Sequence, residues 1–447
     1  MKSYLLIFLL LVSFYHLSSQ TWEPFDNDGL PYGWVEDMEE YRGELYIAGN
    51  LGYGLNNIIK WDGNSWWTVK NGITDTNSSS NGTIWDLEVF DDQLFVAGEF
   101  TQANGIKATN IVKWNGVKWK PVGNGMDNIA YGVWTLKAWG DKLYAGGWFP
   151  EIDGDTVNHI AVWDRVKWRG VGKGFNSDVV KITVFNEQLH AGGYFTRSGE
   201  DTLYRIARWN GINWLPLAEG IHPNSDLIGT YVRDMIEYKG ELIVGGPFDE
   251  AGTVSAQNIG AWNGSSWRDL NFGLARRVET FEIYDNKLYL GGDFWNYNYI
   301  AHWDGDTLIP AAQGVYSGQN YATHVWSLKT YNKNLFVGGH FQFAGTDSTP
   351  NLAEWSVPLT AIHTVKQDLP NIQAVPNPNS NGFRLSLPAS KGYRDVILYD
   401  ILGNLIKQER IGPANADFQY GRLPAGIYIY AVYDEKGLYS SGKIIAQ

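Results

Sequence analysis

The chain has 447 residues, 44% of them hydrophobic and none of them cysteine, with a formal net charge of -13. That length and apolar content bury large cores and exclude a disordered chain, while the lack of cysteine excludes disulfides, thiolate metal sites and a cysteine nucleophile. The negative charge works against phosphate-rich surfaces, so neither nucleic acid nor an anionic membrane is expected as a partner.

The first residues, MKSYLLIFLLLVSFYHLSSQTW, place Lys2 before an apolar run from Tyr4 to Phe14 and then small polar residues. This predicts a signal peptide over residues 1–19, cleaved after Ser19. The run is shorter than the roughly 18 to 20 residues that cross a bilayer, so no transmembrane segment is expected.

From residue 20 to 359 one phrase returns seven times. Each copy has an apolar run such as VWTLKAW, then a run ending in two small residues such as LYAGGWF, then a Trp, a turn and another Trp. The second small residues are Gly49, Gly98, Gly147, Gly193, Gly246, Gly292 and Gly339, spaced 46 to 53 residues apart. A repeat of that period predicts a β-propeller with four strands, a to d, in each blade. Two-residue turns such as Gly140-Asp141 join a to b, and Asn-Gly or Asp-Gly joins c to d in most copies. The last copy, NLAEWSVPL, stops before its second Trp, while the mature chain opens on TWEPF, a strand d with no strand c before it. The N-terminus is therefore expected to complete the last blade and close the ring, which removes an exposed edge. The apolar run, paired glycines and later Trp resemble kelch-type repeats, which implies a seven-bladed propeller.

Of the 21 Trp, thirteen fall at the ends of strands c and the starts of strands d, where packing between blades explains them. Trp34, Trp85, Trp134 and Trp326 stand at the start of strand a instead, and Trp148 and Trp295 at the end of strand b or just beyond it. Both places belong to one rim, formed by the long and variable d to a and b to c connections, where binding residues are expected. The candidate ligand-binding residues are these six with Tyr32 and Tyr321 as further flat surfaces and Glu99, Asp293 and His340 as polar contacts. The acidic chain suggests a neutral or cationic partner.

No catalytic constellation, cofactor motif or metal-ligand spacing stands out. Asp153-Gly-Asp155 could ligate calcium, but one such triplet is more often a turn, and His190, His302, His324 and His340 lie in different copies. After a linker at 360–374 the pattern changes to alternating stretches, FRLSL and IYIYAVY, that predict a small β-sandwich over 375–447. Pro376-Asn377-Pro378 with Gly382, the Asp400 to Gly403 turn, Gly426-Ile427-Tyr428 and Lys443-Ile444-Ile445 resemble the type A C-terminal sorting domain of the type IX (Por) secretion system of Bacteroidetes. That resemblance implies the type IX machinery as a partner and export through the periplasm to the cell surface or the extracellular space. The whole reading is an all-β chain, a seven-bladed β-propeller followed by a small C-terminal β-sandwich, acting as a binding module for a glycan or an extracellular protein. The alternative is a carbohydrate-active hydrolase or lyase on the same scaffold.

Overall fold

The structure, a computed structural model, describes residues 21–24, 30, 33–52, 54–76, 82–126, 131–222, 229–318, 321–356, 372, 374–375, 382–387, 394–400, 405–412, 417–434 and 437–446. The predicted signal peptide and most of the predicted linker lie outside these. Backbone contacts divide the chain into two compact units, residues 1–358 and 359–447. Among the described residues there is no α-helix, only a 3-10 turn at Trp295–Tyr297, and none is long and apolar enough to cross a membrane.

The first unit contains seven four-stranded antiparallel sheets. Their first strands are Trp34–Tyr41, Thr83–Phe90, Gly132–Trp139, Val179–Phe185, Asp234–Tyr238, Val278–Tyr284 and His324–Tyr331. Each first strand touches the next, and the seventh touches the first. The seventh sheet takes its fourth strand from the other end of the unit: Thr21–Pro24 pairs with Leu352–Ser356 in the register Trp22 to Trp355. Trp22 packs against Trp355 with ring centroids 4.7 Å apart, and its Nε1 donates to Ala311 O of the sixth sheet at 3.2 Å.

The same joint recurs between other sheets. Trp214 donates to Val171 O at 3.1 Å and Trp267 to Leu217 O at 3.0 Å, each reaching the preceding sheet. A buried indole thus contributes apolar area and also satisfies its only polar atom. In the first six sheets the Asp or Asn after the strand-c Trp accepts the backbone N–H groups two and three residues on, as Asp62 does from Asn64 and Ser65 at 2.8 Å each, which locks the c to d turn.

One element was not expected. The b to c connections of the second to fifth and seventh sheets fold into two-residue hairpins, for example Glu151–Ile152 with Asp155–Thr156. In this hairpin Asp153 accepts the Trp168 N–H at 3.3 Å and the Asn124 N–H at 2.5 Å, so its carboxylate ties the hairpin to strand d and to the connection after the preceding sheet.

In the second unit Ala374–Val375, Phe383–Ser386 and Asp417–Tyr420 form one sheet and Leu405–Ile411, Arg394–Asp400, Gly426–Asp434 and Gly437–Ala446 another. Phe383, Leu385, Val396, Leu398, Phe418, Val432 and Ile444 from both sheets share one core. Tyr428 and Ile444, from two of the blocks that carry the sorting-domain resemblance, are directly paired. Residues 376–381 and 401–404, which carry two others, lie outside the described residues.

Candidate functional site

The site begins with a backbone irregularity. In the third sheet Val133 pairs with Gly147 and Thr135 with Gly146, which leaves Trp134 as one residue too many. The same shift occurs at Glu36, Trp85, Val180, Glu279 and Trp326. A bulge sets two residues against one and re-aims the extra side chain. It also explains the second glycine of each pair: a Cβ on Gly147 would collide with Gly132 O, and one on Gly339 with His324 O.

Because of the bulge, consecutive side chains line the space enclosed by the seven first strands. The bulged residues Glu36, Trp85, Trp134, Val180, Glu279 and Trp326, with Arg233 in the equivalent place, line a cavity of about 570 Å³. Glu99, Trp148, Tyr194, Tyr231 and Arg277 complete its wall. The next residues along, including Asp37, Asp86, Lys181, Asp234, Thr280 and Ser327, line a second space of about 250 Å³.

The second space holds the sheets together. Asp37 accepts the Leu87 N–H at 2.7 Å, Asp86 that of Leu136, Thr135 Oγ1 that of Ile182 at 3.3 Å and Asp234 that of Phe281 at 2.8 Å. Every one of these bonds runs from one sheet to the next. Lys181 Nζ lies 3.1 Å from Asp234, among the carboxylates. Burial, reinforced by Glu39, pushes the Asp37 carboxyl up to about 7, and burial followed by Asp37 raises Asp86 well above its ordinary range. These groups are spent on tying each sheet to its neighbour.

The 570 Å³ cavity differs in character. Trp85, Trp134, Trp148, Trp326, Tyr194 and Tyr231 form its flat surfaces, the two tyrosines stacked at 4.3 Å. The Trp85 Nε1–H has no hydrogen-bond partner among the described residues. The charged part is a triad: Glu279, only 4% exposed, takes Arg233 Nε at 2.5 Å and pairs with Arg277 Nε. Burial pushes the Glu36 carboxyl up to about 7, against the pull of Arg233.

Five of the predicted site residues line this cavity: Trp85, Glu99, Trp134, Trp148 and Trp326. Trp34 stands two residues before the bulge of its own strand, so Glu36 occupies the cavity position, and the Trp34 ring meets Trp326 edge-on at 6.2 Å. His340 lies behind Trp326 at 6.3 Å and His324 stacks on it at 5.2 Å. Asp293 is buried 3.8 Å from Arg277. Trp295 and Tyr321 are 61% and 60% exposed and do not line the cavity, and Tyr32 lies outside the described residues. The sequence reading passed over Glu36, Val180, Tyr194, Tyr231, Arg233, Arg277 and Glu279. Aligning the seven first strands on their buried Val or Ile would have found four of them, since Glu36, Val180, Arg233 and Glu279 each follow it directly.

Residues 373–447 match the family described as the secretion system C-terminal sorting domain. This tail engages the type IX secretion machinery and carries the chain to the cell surface or the extracellular space. No curated protein matches the chain. Among solved structures, the extracellular domain assigned to a one-component system, BT4673, of B. thetaiotaomicron is 12% identical, with a TM-score of 0.48 over 96% of this chain and 58% of that one. This chain therefore spans less than two thirds of that structure. The β-propeller domain of the Trilobed protease from Pyrococcus furiosus is 9% identical, with a TM-score of 0.37 over 73% of this chain and 94% of that one. A family 32 glycoside hydrolase from Bifidobacterium adolescentis is 11% identical with a TM-score of 0.26, over 95% of this chain and 78% of that one.

Proposed function

We propose that residues 20–359 form a seven-bladed, kelch-like β-propeller that acts outside the cell as a glycan-binding module, with the ligand seated in the 570 Å³ cavity. One observation carries this reading: each of the seven sheets sends one bulged or equivalent residue into the same cavity, and three of the seven are Trp. Indole faces pack well against the apolar faces of sugar rings, and the Trp85 Nε1–H, without a partner among the described residues, offers a donor to a hydroxyl. A glycan array probed with the purified full chain tests it. Binding to a defined glycan class supports the reading, and a blank array with a folded protein sinks it.

One feature favours a second reading as a glycoside-cleaving enzyme on the same scaffold. Glu36 faces the cavity with its carboxyl held near 7, the range of a general acid. Release of reducing sugar from array ligands, lost in Glu36→Gln, would move the function from binding to catalysis.

A further inference from the structure

The Arg233–Glu279–Arg277 triad is more than the glycan-binding reading requires. A cavity that only stacked neutral sugars would need hydroxyl partners, and amide or hydroxyl side chains supply those without the cost of desolvating two guanidinium groups. Here two guanidiniums share the Glu279 carboxylate, with Asp293 3.8 Å from Arg277 Nε. Arg233 Nε donates a hydrogen bond to Glu279 and Arg277 Nε meets it as an ion pair, and no Nη atom of either arginine takes part in a hydrogen bond among the described residues. Their side chains are 25% and 35% exposed, so they border the cavity while Glu279 fixes their orientation from below.

A guanidinium held through Nε keeps in-plane N–H donors that match the spacing of two carboxylate oxygens. Orientation in advance of binding avoids the entropy of ordering two long side chains. We propose that the site is specific for acidic glycans, with a sugar carboxylate received by the outward Nη groups of Arg233 and Arg277 while the same sugar ring stacks on a neighbouring indole. This deepens the proposed function and rests on it. It also reverses the expectation drawn from total charge. The net charge of -13 acts at long range, but salt screens it beyond about 8 to 10 Å, and within contact distance the arginine pair acts against the Glu36 and Glu99 carboxylates that also line the cavity.

Isothermal titration of the full chain with two matched sets of tetrasaccharides, one ending in glucuronate and one in glucose, tests the inference. The glucuronate set is expected to bind about tenfold tighter or better. Arg277→Gln should bring the two sets level, while Trp134→Ala should weaken both. Melting temperatures of the variants separate loss of a contact from loss of fold. Equal or tighter binding of the glucose set to the unaltered chain overturns the acidic specificity and leaves glycan binding standing. If neither set binds, the acidic specificity also falls, and the array decides separately whether glycan binding survives.

Discussion

Trp134 reaches the axial cavity because its strand carries one residue more than its partner, and the glycine opposite makes room for the displaced carbonyl. Its ring is half-buried on the cavity wall, outside the buried core clusters. Trp134→Ala is expected to weaken ligand binding about tenfold or more, the usual scale for a stacked aromatic, with little change in melting temperature, while Trp326→Ala should weaken binding similarly and also lower the melting temperature, because it removes the contacts with Trp34, His324 and His340. Asp37, the neighbouring position in the first strand, obeys a different logic. Its carboxyl is raised to about 7 by burial, so the folded state holds the proton more tightly than the unfolded chain does. Its contribution to stability is therefore greatest below about pH 4 and declines as pH rises towards 7. Asp37→Asn keeps an oxygen for the Leu87 N–H and removes the charge. The unfolding free energy of the unaltered protein should fall between pH 5 and 8 by about 2 kcal/mol more than that of the variant, read as a steeper loss of melting temperature across the window. Parallel pH profiles would show that the carboxyl is already relaxed by its surroundings.

At the scale of elements, the strand Thr21–Pro24 does the work of a whole repeat end. It supplies the fourth strand of the seventh sheet, the Trp22–Trp355 contact and the Trp22 Nε1 bond to Ala311. Trp22 is 6% exposed. Trp22→Ala should cost about 3 to 5 kcal/mol by cavity formation, seen as a lower midpoint in urea unfolding. Deleting residues 21–30 should cost more, because the edge of Leu352–Ser356 would then be exposed as well. A deletion variant that melts with the intact protein would mean that the seventh sheet does not need this strand.

At the scale of the molecule, the two units have separate tasks. The first contains the cavity, and the second contains the matched sorting domain and has a core of its own. Removing residues 375–447 is expected to leave a folded, ligand-competent protein that stays in the periplasm of its host. Cell fractionation with a binding assay on the periplasmic extract checks both halves, and surface display of the truncated chain would disprove that these residues are the address.

The repeats were legible because each sheet uses the same local chemistry. Period-two strands, Asn-Gly or Asp-Gly turns and paired indoles at fixed spacing need only neighbouring residues to act, and they gave four strands per copy and the missing partner of Trp355 in Trp22. The tail was legible for the same reason, from short blocks in order. The cavity was legible only in part. Trp85, Trp134 and Trp326 were conspicuous as residues, but whether a first-strand side chain faces the axis depends on a bulge that appears only when the strand is paired with its neighbour. Trp34 lies two residues before such a bulge and meets Trp326 edge-on, and Glu36 holds the cavity position. Packing of neighbouring sheets brought Arg233, Arg277 and Glu279 into one triad across two sheets. Charge summed along a chain carries no information about which side chains meet, and the contacts between neighbouring sheets placed two arginines on one cavity of an acidic protein.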